Sequence, residues 1–240
     1  MDATDRPDLA SLAALGPFFA LAVGGPEPGA APVGGVDAGT GLAPAAGLIG
    51  SPAAVDRWLD WGARRLGTDD RPVVASLLYQ GWAARFTSIY AGAVALAGAA
   101  PALGLDGLAY RYPEEGGPVD LAVAEVAWLP PAAAWRHLVD ANLAPVAQAL
   151  RGRVRVGRRL LWGNVASALA GSLAALDRAG HGPLDRLVAA PWARPDELAG
   201  LGRWSPDPAT GALRFRRTTC CLYERLPGAG RCGDCSLDAP

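Results

Sequence analysis

Apolar residues recur at helical spacing over much of the chain. Ser51-Pro52 reads as an N-cap followed by a first-turn proline, and Val55, Trp58, Leu59 and Leu66 then fall on one helical face. Pro72 opens a second helix with Val73, Val74, Leu77, Leu78, Trp82, Phe86 and Ile89 close to an i, i+4 rhythm, continuing or kinking into Ala91 to Ala99. In the middle the period changes to two. Leu108, Tyr110 and Tyr112 alternate, as do Val119, Leu121 and Val123, on either side of a turn-rich gap from Pro113 to Pro118. This predicts a β-hairpin or two neighbouring strands. Helical spacing resumes near Pro131 and passes through Trp135, Leu138, Leu143, Val146 and Leu150, with Pro145 marking a break or a new start. Arg158 to Leu176 predicts a long helix ended by Gly180, Pro183 to Ala189 a short helix, and Leu213 to Arg217 a short strand. A first helix is expected at Leu9 to Leu15, a long loop from Gly24 to Gly47, and irregular surface from Pro191 to Pro208.

The expected fold is therefore α+β and mainly α-helical, with a small β-hairpin or sheet in the middle. The chain divides into a Gly/Pro-rich N-terminal segment (1–50), a mainly helical domain (51–209) and a cysteine-bearing C-terminal segment (210–240).

Composition narrows the function. Charged residues make up 19% of the chain and the net charge is −1, which argues against nucleic-acid binding. All 22 cations are arginines, the mark of a GC-rich genome, so arginine count alone carries little meaning. The start, Met1-Asp2-Ala3-Thr4-Asp5, is acidic where a secretory signal needs basic residues. The nearly uncharged stretch Ile89 to Leu105 is short, Ala/Gly-rich and broken by Pro101, and predicts a buried helix rather than a membrane span. A cytoplasmic protein is expected, in which cysteines are not structural disulfides.

All four cysteines lie within 16 consecutive positions, as C-C-x10-C-x2-C: Cys220, Cys221, Cys232 and Cys235. Zinc accepts four thiolates and suits the Cys232/Cys235 knuckle, but not the adjacent pair. A [2Fe–2S] core offers two thiolate positions on each of two irons and spans a wider object. Adjacent cysteines disfavour disulfide pairing. On chemistry alone zinc and iron–sulfur stay open.

The run Arg216-Arg217-Thr218-Thr219-Cys220-Cys221, then Leu226-Pro227 and Cys232-Gly233-Asp234-Cys235, resembles the signature of the FhuF-type ferric siderophore reductases. Upstream, Leu143-Ala144-Pro145-Val146-Ala147-Gln148-Ala149-Leu150 is similar to that family's helix before its central motif. Leu161-Trp162-Gly163-Asn164 resembles the W-S/G-N motif shared with the iron-transport domain of siderophore synthetases. The similarity covers Leu143 to Asp238 and, more weakly, reaches back to Ser76; Thr218-Thr219 is one residue longer than the usual Arg-Arg-Thr-Cys-Cys run. The resemblance implies a [2Fe–2S] cluster held by Cys220, Cys221, Cys232 and Cys235. It implies one-electron reduction of Fe(III) in a siderophore, of hydroxamate type, with release of Fe(II) in the cytoplasm. A ferredoxin or reductase would supply electrons, since no G-x-G-x-x-G fingerprint follows a strand. It implies no transmembrane segment, though peripheral association with the inner membrane face is compatible. The alternatives are a zinc-stabilised module that binds a siderophore or partner without redox chemistry, and an iron–sulfur sensor of iron status.

Candidate substrate contacts are Trp162 and Asn164, which either line a siderophore pocket or hold a helix N-terminus, and Arg216 and Arg217, which would also offset cluster charge. Arg151, Arg153, Arg155, Arg158 and Arg159 read more readily as a solvated face than as a docking site. Trp82, Arg85 and Tyr90 read as core or helix surface, His137 and His181 as ordinary helix or surface residues, and Glu114-Glu115 as a solvated turn.

Overall fold

The computed structural model describes residues 8–24, 41–113, 117–207 and 209–237. Asp8 accepts the Ser11 backbone N–H and caps a short helix, α1 (Leu9–Ala14). The two-residue strands β1 (Ala22–Val23) and β2 (Ala43–Pro44) follow. Helix α2 (Pro52–Leu66) begins as expected: Ser51 Oγ accepts the Ala54 N–H, and Gly67 closes the helix in a left-handed conformation. Helix α3 (Arg71–Ala97) starts at an Asp70 cap and runs uninterrupted for 27 residues. It is buried around most of its circumference, which makes it the central helix.

Short strands β3 (Ala100–Pro101), β4 (Leu108–Arg111), β5 (Asp120–Val123) and β6 (Trp128–Leu129) come next. The expected hairpin is β4–β5, antiparallel, with Leu108 opposite Val123 and Tyr110 opposite Leu121. It sits at the centre of a four-stranded sheet of order β1-β5-β4-β2, in which β1 is parallel to β5. The end of the expected Gly24–Gly47 loop is thus ordered: Ala43 and Pro44 pair with β4 as an edge strand, a place that tolerates proline. Most of the rest of that loop, and Glu114-Glu115, lie outside the described residues. The expected Ile89–Leu105 helix stops at Ala97, where Gly98 turns left-handed; Ala100 and Pro101 then pair with β6.

Of the break or new start expected at Pro145 the structure has the new start: helix α4 (Pro131–Leu138) passes through a π-helical turn, Val139–Leu143, into helix α5 (Ala144–Arg153). The cause is Pro145, which cannot donate to the Ala141 carbonyl. That carbonyl instead accepts the Leu105 N–H at 2.9 Å. Helix α6 (Arg158–Arg178) and the short α7 (Leu184–Ala189) follow. A hairpin of β7 (Gly202–Pro206) and β8 (Leu213–Arg217) closes the fold before the cysteines. Strand β7 corrects the irregular reading of Pro191–Pro208. Its Trp204 stacks edge-on against Phe215 across the pair, at 5.3 Å between ring centroids.

Of the described residues 53% are helical and 12% are in strands, the mainly α-helical α+β class that the pattern predicts. Helix α6 is long and apolar enough to cross a membrane by length and composition, but 67% of its most apolar window is buried within the protein. It packs along α3, where Ser88 Oγ and Ser172 Oγ lie 3.0 Å apart. This α3–α6 pair carries the candidate site.

Among the described residues buried Arg85 on α3 donates only to backbone carbonyls: Nε to Val119 at 2.6 Å, NH2 to Ala20 at 2.6 Å, and NH1 to Pro17 and Phe18. Burial lowers its pKa to about 10. This clamp fastens residues 17–20 against the core. Arg85 was legible as a core residue; the segment it holds was not.

Candidate metal centre

Strand β8 delivers the chain directly to the cysteines. Strand alternation puts Phe215 and Arg217 on the face turned toward α6, so Arg217 is buried to 1% exposure. A buried guanidinium needs partners. Its Nε donates to Asp234 Oδ2 at 3.1 Å and its NH1 to Asn164 Oδ1 at 2.8 Å, while its backbone N–H donates to the Asp234 carbonyl at 3.2 Å. NH2 is buried and lacks a hydrogen-bond partner among the described residues.

Asn164, on α6, has no exposure. Its Nδ2 donates to the Ser76 carbonyl at 2.9 Å and to Ser76 Oγ at 3.0 Å; Ser76 Oγ donates in turn to the Cys221 carbonyl at 2.7 Å. A continuous buried relay thus runs Cys221–Ser76–Asn164–Arg217–Asp234. It ties the adjacent cysteines, helices α3 and α6, and the Cys232–Cys235 knuckle into one unit. Each link of the relay pairs a donor with an acceptor, while Arg217 NH2 is the one donor of the network left over among the described residues.

Gly163 explains the middle of the Trp-Gly-Asn motif. A Cβ at this position would lie 2.0 Å from Thr219 Oγ1. The hydroxyl preceding the cysteine pair therefore rests on bare helix backbone, buried and without a hydrogen-bond partner among the described residues. The other threonine, Thr218, turns away: its N–H donates to the Leu201 carbonyl at 2.9 Å and its Oγ1 to Gly200 at 3.0 Å. Arg159 also donates to the Gly200 carbonyl at 2.8 Å.

The cysteines gather at this end of the molecule. Cys221 and Cys235 are buried; Cys220 and Cys232 are half-buried. Cys221 Sγ and Cys232 Sγ stand 3.5 Å apart. Two ligands on one tetrahedral metal, with metal–sulfur bonds of about 2.3 Å, stand about 3.8 Å apart, so the spacing of this close pair is compatible with a shared metal as well as with an S–H···S contact. The knuckle turns through a Cys235 N–H to Cys232 carbonyl bond of 3.2 Å. Leu222, at φ 67°, is the one non-glycine residue at positive φ among the described residues, and it bends the chain directly after the adjacent pair. Backbone N–H groups serve the two remaining sulfurs: Leu222 donates to Cys220 Sγ at 3.3 Å and Leu237 to Cys235 Sγ at 3.4 Å. Arg231 NH1 lies 3.9 Å from Cys235 Sγ. Tyr223–Arg225 docks on the start of α3 through an Arg225–Asp70 ion pair.

Burial is the main cause that raises the Cys220 and Cys232 thiols above their ordinary range; at Cys232 the adjacent Cys221 sulfur adds to it. Among the described residues no three His, Cys, Asp or Glu side chains converge as a ready-made mononuclear site. The four sulfurs comprise one close pair and two that accept backbone N–H groups, with Arg231 beside Cys235, and these are the residues that could hold a [2Fe–2S] cluster.

The candidate substrate contacts divide. Asn164 and Arg217 are enclosed and engaged in the relay, so they support the cysteine loop rather than offer a surface to a ligand. Trp162 is buried in the core. Arg216 is half-buried on β8. Of the basic stretch, Arg153 pairs with Asp56. Neither histidine enters the site: His137 packs against Gly104, and His181 is exposed beyond the end of α6. Ser76, Thr219 and Asp234 belong to the site although residue type alone does not single them out. Asp234 had one signal, its place inside the knuckle.

Compared with known protein families and with curated proteins, the chain matches none.

Proposed function

We propose that the protein reduces Fe(III) held in a siderophore, using a [2Fe–2S] cluster bound by Cys220, Cys221, Cys232 and Cys235. The observation that carries this reading is the relay: the cysteine segment and the Trp-Gly-Asn motif, which resemble one reductase family independently in sequence, meet through Asn164, Arg217 and Asp234. The substrate is proposed to be a hydroxamate chelate in the cytoplasm.

The chemistry is balanced. A bound cluster supplies one electron at a time, and Fe(III) accepts one to become Fe(II). Hard oxygen donors hold Fe(II) far less well than Fe(III), so reduction releases the metal without cleaving the chelator. A low-potential one-electron donor, a ferredoxin or a reductase, restores the electron. The protein's own residues position and tune: Arg231 places positive charge near the Cys235 sulfur, Arg217 holds the knuckle through Asp234, and the Leu222 and Leu237 N–H groups donate to the Cys220 and Cys235 sulfurs.

Cys232→Ser tests the reading. Removing one sulfur of the close pair is expected to abolish visible absorption and inorganic sulfide content, and ferric-siderophore reduction together with them. Reduction at the unsubstituted rate in this variant contradicts the proposal. A colourless protein that takes up only zinc points to the non-redox module, and a cluster-bearing protein that leaves ferric siderophores unreduced points to the sensor.

A further inference from the structure

A cavity of about 730 Å³ opens beside the knuckle, between α3, α6, the β7–β8 hairpin and the segment after α1. We propose that this cavity is where the ferric chelate binds, as a neutral or anionic complex rich in amide and carbonyl groups; this rests on the function proposed above. Four observations lead there. Its wall includes Gly233 and Asp234, the two residues between Cys232 and Cys235, so each is one Cα step of about 3.8 Å from a sulfur-bearing residue. Its size lies within the range of small-molecule sites, and it is wide enough for a chelate of several hundred daltons. Its walls mix apolar rings, Phe18, Trp204 and Phe215, with polar groups. Gln80 lines it, and its Oε1 is buried without a hydrogen-bond partner among the described residues, an acceptor that calls for an N–H donor such as an amide.

Charge sets the preference between chelates. Arg178 stands exposed at the rim, and no ion pair engages it among the described residues. Arg214 is partnered by Asp207, and Asp234 by Arg217. The cavity therefore carries one uncompensated positive charge, which favours neutral and anionic complexes over cationic ones. The Arg85 clamp on residues 17–20 fixes the Phe18 wall and gives the N-terminal segment a part in the site.

Gly171 provides the test. It lines the cavity from within α6, and a Cβ there meets nothing within 4 Å. Gly171→Phe fills the space without a backbone clash and replaces glycine inside a helix with a better helix former. The probe is the Ga(III) complex of a neutral trihydroxamate, which matches Fe(III) in charge and cannot be reduced. Titrated calorimetrically into the iron-loaded full chain, it is expected to bind one to one. Gly171→Phe is expected to weaken binding at least about tenfold, about 1.4 kcal/mol, with visible spectrum and unfolding midpoint unchanged. Arg178→Glu is expected to weaken an anionic Ga(III) chelate more than a neutral one. Unchanged affinity in Gly171→Phe, or no binding by the unsubstituted protein, overturns the assignment. Binding that Gly171→Phe abolishes, in a protein that never passes an electron to the ferric form, upholds the cavity and removes the reductase reading.

Discussion

Arg217 is a buried cation whose carboxylate partner, Asp234, sits within the cysteine knuckle and whose amide partner, Asn164, sits on α6. Its role depends on a strand register that puts it inward, and that register depends on pairing with β7, whose Gly, Trp and Pro content hides a strand. The cysteines and the Trp-Gly-Asn motif were legible as residues; that Asn164 and Arg217 hold the site from within, rather than face a substrate, required the packing. Gly163 is the sharpest case. Gly163→Ala drives a methyl into Thr219 and is expected to destabilise the protein by about 1–3 kcal/mol, the range for overpacking a filled core, and to weaken cluster retention. Thr219→Ala removes the clashing hydroxyl and is expected to restore most of that loss. A double-mutant cycle by urea unfolding checks this: coupling near zero contradicts the contact.

At the scale of elements, helices were legible where start signals and periodicity agree, as at Ser51-Pro52 and Pro72; the Asp70 cap was seen only in the structure. Pro145 predicts a break or a new start; a new helix does start there, and because Leu105 takes up the stranded carbonyl the junction is a π-turn. Short strands were missed where two residues pair, because a two-residue strand has no period. The β7–β8 turn has its own electrostatic tie. Asp207 accepts from Arg214 and from the Ala209 and Thr210 N–H groups, which hold its pKa at about 2 rather than 3.8. A carboxylate whose pKa falls on folding stabilises fully above its unfolded value and loses that contribution as pH drops through the folded one. The hairpin turn is thus expected to loosen between pH 4 and 2. An NMR titration of the Asp207 carboxyl checks it, and a midpoint near 3.8 contradicts the tie. Arg85→Leu strands the carbonyls of Pro17, Phe18, Ala20 and Val119. The expected loss is about 3 kcal/mol or more, with early proteolytic cleavage near residues 15–20. Unchanged cleavage kinetics contradict the clamp.

Across the whole molecule, the central pair α3 and α6 does two things. It fills the core, and it presents Ser76 and Asn164 beneath a cysteine loop that has little core of its own. The loop is fixed by the relay, by Thr219 on Gly163, and by Arg225 on Asp70. One end of the fold thus holds the cysteine loop, and Gly233 and Asp234, between Cys232 and Cys235, line a cavity of about 730 Å³. The account turns on what those thiols carry and where its electron goes. Electron paramagnetic resonance of the anaerobically purified, dithionite-reduced full chain, before and after one equivalent of ferric trihydroxamate, tests this directly. The account predicts the signal of one reduced [2Fe–2S] cluster, about one spin per chain, that vanishes on mixing as an equivalent of Fe(II) appears. A silent, colourless zinc protein, or a signal that persists beside the ferric chelate, would contradict it.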